Sequence, residues 1–130
     1  MSDAATEPAD AGRGGWPARV AVVGTGAMGS AFAVGLADAG FSNRLELVDV
    51  RSDVADAVAE DVGARVTDMA TAGSADIVVL AVKPKDAAAA LEALGRHAPP
   101  DAVVVSVVAG LPIERMRGIV SAQVVRLMPS

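Results

Sequence analysis

The sequence predicts an α/β fold, one domain built on a doubly wound parallel sheet. Three observations predict it. Apolar strand patterns alternate with helix patterns along most of the 130 residues. The run Val20-Ala21-Val22-Val23 leads straight into the G-x-G-x-x-G spacing of Gly24, Gly26 and Gly29, with an apolar helix pattern directly behind it. Residues 76–82, Asp-Ile-Val-Val-Leu-Ala-Val, form a continuous apolar run of the kind found in parallel strands covered on both faces. Units alternating in this way close into a sheet through right-handed crossovers.

Each element has its own signal. Residues 1–18 are rich in Ala, Gly, Asp and Pro and lack periodicity, so they are expected to be a disordered leader ahead of a domain over 19–130. Residues 20–23 are the first strand. Beyond the glycine turn, Met28, Ala31, Phe32, Gly35, Leu36 and Ala39 fall at i, i+3, i+4, i+7, i+8 and i+11, which predicts a helix with that face inward. Residues 45–49 read as a second strand ending in a carboxylate, and Ser52 opens a helix to about Asp61. A short strand at 64–66 and a helical turn at 67–72 precede the strand at 76–82, which Lys83-Pro84 stops. The alanines at 87–90 begin a helix to Leu94. Pro99-Pro100 breaks the chain, residues 102–108 are a further buried strand, and Ala109-Gly110 turns it. Pro112 suits the first position of a helix to Arg117, and residues 122–127 are the last strand.

Strand, glycine turn and helix in that order form the Rossmann fingerprint of dinucleotide binding. Gly24 makes the tight turn, Gly26 lets the backbone approach a pyrophosphate, and Gly29 allows close packing of helix on strand. The phosphates are expected at the helix N-terminus, where free N–H groups and the helix dipole favour an anion. Val23, Thr25, Ala27 and Met28 belong to the same cofactor-binding stretch. An acid is expected about 20 positions further on to bind the ribose, and Asp49 stands there. A carboxylate at that place favours NAD. Arg51 and Ser52, just past it, suit the 2′-phosphate of NADP instead. The expected cofactor is therefore NADP or NAD, both binding with weak discrimination. The bland alternative is that Asp49 only ends a strand, and Ser52 followed by Asp53 makes a helix N-cap with an acid in the first turn.

Composition narrows the function. With 52% hydrophobic residues and a mean hydropathy of +0.44, the chain has enough apolar side chain for a folded core, and at 2% aromatic that core is aliphatic. There is no apolar run of about 18 residues, the length a membrane span needs, and no signal-peptide pattern, so a cytoplasmic location is expected. The absence of Cys excludes disulfides, a thiolate zinc site and a thiol nucleophile, and the lone His97 cannot hold a metal by itself. A net charge of −5 without a basic stripe excludes nucleic acid as an expected partner.

Taken together, Val23-Gly24-Thr25-Gly26-Ala27-Met28-Gly29, Ala81-Val82-Lys83-Pro84, Ser106-Val107-Val108-Ala109-Gly110 and Arg126-Leu127-Met128-Pro129 fall in the order and spacing of the pyrroline-5-carboxylate reductase family. The chain resembles that family from Arg19 to Ser130. The narrow part of the resemblance is Lys-Pro after the fourth strand followed by Ser-x-x-Ala-Gly after the fifth. It implies reduction of the cyclic imine 1-pyrroline-5-carboxylate to L-proline by NADPH or NADH. By the same resemblance the stretch from Val23 to Met28 lines the pyrophosphate. Ala81, Val82, Lys83 and Pro84 pass under the cofactor near its nicotinamide half, and Ala109 and Gly110 border the site of hydride transfer. Ser130 departs from the Asn the family usually carries after Met-Pro, so that residue's cofactor contact is not transferred.

The family also implies a C-terminal helical domain that forms the dimer and holds the substrate carboxylate and imine nitrogen. No segment of these 130 residues corresponds to it. The chain is therefore expected to represent the cofactor-binding half of such a reductase, inactive alone and a homo-oligomer only with a domain of that kind. The alternatives are a nucleotide-binding module without turnover and another imine or 3-hydroxy-acid reductase. No catalytic acid or base is assigned within the chain.

Overall fold

Short, mostly apolar strands stand at the centre of the molecule because helices cover both faces of the sheet there, so little polar alternation is needed. The computed structural model describes residues 19–99 and 101–127. The leader expected over 1–18, and Met128, Pro129 and Ser130, lie outside the described residues. The elements are β1 (Val20–Val23), α1 (Ala27–Leu36), β2 (Leu45–Val48), α2 (Ser52–Val62), β3 (Arg65–Val66), α3 (Met69–Gly73), β4 (Ile77–Leu80), α4 (Ala87–Gly95), β5 (Val103–Ser106), α5 (Ile113–Arg117) and β6 (Gln123–Arg126). All six strands pair in parallel in the order β3-β2-β1-β4-β5-β6. This is the α/β, doubly wound Rossmann architecture the sequence predicts.

The pleat sorts the core into two layers. Ala21 and Val23 face one way and join Val78, Leu80 and Val104 under α3, α4 and α5, where Ala72, Leu91, Leu94 and Met116 are buried. Val20 and Val22 face the other way and join Leu45, Leu47 and Val79 under α1 and α2 through Ala33 and Ala59. The winding reverses between β1 and β4, since the chain leaves β1 toward β2 and later returns to β4 on the other side. Ligands bind in such sheets at this switch point, beyond the carboxyl ends of the strands.

Several details differ from the sequence expectation. The buried residues of α1 are Gly29 and Ala33, while Met28, Ala31 and Gly35 are exposed and Phe32 and Leu36 only half-buried. The helix is apolar on nearly every side, so periodicity does not select a face; the contact of Gly29 with the glycine turn does. α1 also ends at Leu36 and passes into a wider helical turn at Ala37–Phe41, in which Ala39 is exposed and Gly40, at φ +98°, departs from helical backbone. The cap of α2 is Arg51, without a side-chain bond, rather than Ser52. Pro112 caps α5 instead of opening it. The turn expected at 67–72 is α3, capped by Asp68, whose Oδ1 accepts from the Thr71 amide at 2.8 Å.

One buried charge ties the far end of the sheet together. Glu46, 3% exposed, lies within β2. Its Oε1 accepts from Arg19 Nη2 at 2.9 Å and its Oε2 from Arg19 Nε at 3.1 Å and Arg65 Nη2 at 3.3 Å. Arg19 also reaches Ser74 Oγ at 3.1 Å and the Thr71 carbonyl at 2.8 Å, so one guanidinium joins β2 to α3 and the turn after it. Removing the carboxylate leaves this cation without its counter-charge. Because Arg19 is partly exposed, water takes up part of that loss. Glu46→Ala is expected to cost about 2 kcal/mol, less than a fully buried pair would. A urea midpoint unchanged from that of the parent protein would contradict this.

Candidate functional site

The residues marked in the sequence lie at the end of, or just after, β1, β2, β4 or β5, four neighbouring strands, so the topology gathers them on one crest above the sheet. At the ordinary strand spacing the crest from β2 to β5 is about 14 Å wide. The glycine turn lies over its switch point. The Gly24 amide donates to the Val48 carbonyl at 2.7 Å, and the Ala81 amide to the Val23 carbonyl at 2.8 Å, which splices the turn to both neighbouring strands.

The three glycines have three different causes. Gly24 has φ +98°, and a Cβ there would stand 2.7 Å from the Ala81 carbonyl oxygen. A Cβ on Gly29 would stand 1.7 Å from the Gly24 carbonyl oxygen. Both therefore serve packing of loop on strand and helix. At Gly26 a Cβ would meet nothing within 4 Å, so the space above this residue is open and only a side chain would fill it. Among the described residues no group accepts from the amides of Gly26, Ala27 or Met28, at the N-terminus of the ten-residue helix α1. An open cradle beneath unpartnered N–H groups and a helix dipole fits a pyrophosphate.

Thr25 faces inward and is 2% exposed. Its amide and hydroxyl both donate to Asp49 Oδ2, at 2.7 and 2.8 Å, and the Arg51 amide donates to Asp49 Oδ1 at 2.9 Å. Ser30 Oγ holds the Thr25 carbonyl at 2.8 Å from the other side. Burial pushes the Asp49 carboxyl up, but the hydrogen bonds from Arg51 and Thr25, with the Arg51 charge, outweigh it and hold the group below the ordinary aspartate value. Asp49 is thus ionised and braced against the glycine turn. Arg51 and Ser52 are exposed beside it.

At the other end of the crest, Ala81 lies under Gly24, and Val82 packs against the core. Lys83 is exposed, and Pro84 starts a short helical turn, Pro84–Asp86, closed by the Asp86 amide on the Lys83 carbonyl at 2.9 Å. Ala109 and Gly110 are exposed, and Gly110 has φ +73°. The buried Ser106 bends the chain toward them by accepting from the Val108 amide at 3.2 Å. A cavity of about 340 Å³ opens between the two turns, lined by Pro84, Lys85, Ala88, Ala109, Gly110, Leu111 and Arg115.

Sequence reasoning missed three of the side chains that face this crest. Val50, fully exposed between Asp49 and Arg51, offers an apolar face where a planar base can lie. Lys85 and Arg115 bring positive charge to the cavity. An isolated valine in a turn was the only available signal for the first. For Arg115, position along the chain carried none, because its neighbour across the cavity is thirty residues away. Among the described residues no group of three His, Asp or Glu side chains can hold a metal, and no helix is long and apolar enough to cross a membrane.

Residues 19–110 match the model of the family described as NADP oxidoreductase coenzyme F420-dependent, and the cofactor is a nicotinamide dinucleotide, NADP or NAD. A pyrroline-5-carboxylate reductase from Coxiella burnetii superposes with a TM-score of 0.81 at 28% identity, over 88% of this chain and 44% of that one. The Plasmodium falciparum pyrroline carboxylate reductase with NADP bound gives 0.73 at 24% identity, over 86% and 42%. Prephenate dehydrogenase from A. aeolicus, in complex with hydroxyphenyl propionate and NAD+, gives 0.72 at 23%, over 83% and 40%. The last two share the fold. The chain spans less than half the length of each, and no curated protein sequence matches it. Glycine-turn geometry, sheet order and family model agree: the chain belongs to the NADP oxidoreductase coenzyme F420-dependent family.

Proposed function

We propose that the chain is the nucleotide-binding half of a cytoplasmic reductase that converts 1-pyrroline-5-carboxylate to L-proline with NADPH or NADH. The observation that carries this reading is the pairing of two turns. Lys83-Pro84 and Ala109-Gly110, the narrow part of the family resemblance, are held side by side by the Val107 amide on the Leu80 carbonyl at 3.0 Å, and Pro84, Ala109 and Gly110 line one cavity. The 28% identity with the Coxiella reductase supports it.

When bound, the reduced nicotinamide supplies a hydride to the imine carbon. The imine nitrogen is already protonated in the reactive substrate, so the chain need not provide an acid. Its own residues bind and orient. Gly26, Ala27 and Met28 offer their amides to the pyrophosphate, Ala81 backs the glycine turn, and the Ala109-Gly110 turn leaves open space at the reacting end. Lys85 and Arg115 give that end a positive field for a small anionic substrate.

The test is slow hydride transfer at high protein concentration. With nucleotide deuterated at the transferred position, the imine and a 3-oxo acid offered together, deuterium is expected in proline above the background set by Gly26→Val. Label only in the 3-hydroxy acid would favour a different reductase. Nucleotide binding without label in either product would leave a binding module.

A further inference from the structure

The bonds around Asp49 bear on which nucleotide the site prefers. A carboxylate offers about four lone-pair positions, and three are engaged: two on Oδ2 by Thr25 and one on Oδ1 by the Arg51 amide. The group cannot swing aside without breaking two short bonds to a buried residue. A free acceptor position remains on Oδ1. It suits a ribose hydroxyl, which donates, and opposes a 2′-phosphate, which brings only acceptors and negative charge. Hydrogen bonding and the nearby cation also keep Asp49 ionised throughout the neutral range. The opposing influence is Arg51. Its side chain is exposed and makes no ion pair among the described residues, so a pair formed there with a phosphate is solvent-exposed and screened.

We infer that Thr25 is a positioning residue for nucleotide choice: by locking Asp49 in place it makes the site prefer NADH to NADPH. This rests on the dinucleotide reading of the crest, and it replaces the weak discrimination expected from residue types alone. The position between the first two fingerprint glycines is thereby coupled to ribose recognition at the end of β2, a coupling that spacing does not display.

Titrating the 130-residue protein and its variants with NADH and NADPH tests it. NADH is expected to bind roughly tenfold more tightly, the scale of one like-charge contact in a partly wet site. Asp49→Asn keeps the shape and removes the charge, so the preference should fall to near unity. Thr25→Val should lower the preference as well, whereas Thr25→Ser, which keeps the hydroxyl, should restore it. A residue that merely supported the loop would change both affinities together and leave their ratio alone. Equal or tighter binding of NADPH by the parent protein would overturn the inference, as would a ratio unmoved in Thr25→Val. Binding of neither nucleotide would overturn the dinucleotide reading with it, so the two failures are distinguishable.

Discussion

Gly29→Ala is expected to destabilise the protein by about 3 kcal/mol or more and to abolish nucleotide binding, although it adds one methyl group. Its Cβ would stand 1.7 Å from the Gly24 carbonyl oxygen and 2.7 Å from the carbonyl carbon. Both are backbone atoms, which cannot turn away as the end of a flexible side chain can. Gly24 is itself held by its amide on the Val48 carbonyl and by the close approach of Ala81, so the helix must lift or the whole turn must move. Against a total stability of about 5–15 kcal/mol this is a large fraction. Gly26→Ala is the control. Its backbone lies at φ −72° and ψ −159°, open to any residue, and its Cβ meets nothing. Stability should therefore change by no more than about 0.5 kcal/mol. Affinity should nonetheless fall, and more steeply in Gly26→Val, because the added atoms occupy the cradle. Thermal unfolding and calorimetric titration of the three variants check both halves; equal melting temperatures for Gly26→Ala and Gly29→Ala would contradict the assignment of separate roles.

Steady-state reduction of 1-pyrroline-5-carboxylate by these 130 residues alone is expected to run about five powers of ten below an ordinary enzyme. The chain spans 44% of the Coxiella reductase, and the cavity above the crest, as its own residues line it, offers a small cyclic imine the Lys85 and Arg115 cations beside apolar and backbone surface. Orientation of two reactants lowers a barrier by roughly 7 kcal/mol or more, which is about a factor of 10⁵ in rate. Starting from a typical turnover of about 10 per second, the residual rate is on the order of 10⁻⁴ per second. A few product molecules per protein would then form in half a day. NADPH oxidation followed by proline detection decides the point. Turnover near one per second would show that the substrate site is complete in this chain.

Strand positions and the glycine turn were legible because each depends on local chemistry. Residues 20–23, 77–80 and 103–105 are continuous apolar runs, which is what a strand covered by helices calls for. Gly24 and Gly29 are required by a positive φ and by a backbone approach within a few residues. Lys83-Pro84 and Ala109-Gly110 mark the turns by their own chemistry, although β4 and β5 already end before them, at Leu80 and Ser106. The buried face of α1 was not legible, because a helix apolar on nearly all sides carries no phase until something packs on it. The role of Glu46 was hidden too. Its partner Arg19 lies 27 positions away, and the parallel crossovers that join them leave no mark in either residue's surroundings. Asp49 shows the division most plainly. Its spacing from the glycines marks it as a candidate ribose ligand, yet only the folded turn lays the Thr25 amide and hydroxyl on its Oδ2. Sequence by itself determined which groups could carry the chemistry, since that follows from residue type and short-range backbone geometry. Tertiary structure decided which of them are engaged by one another and which stay open to a ligand, because hydrogen-bond capacity is shared out between residues, such as Thr25 and Asp49, that only the sheet order brings within 3 Å.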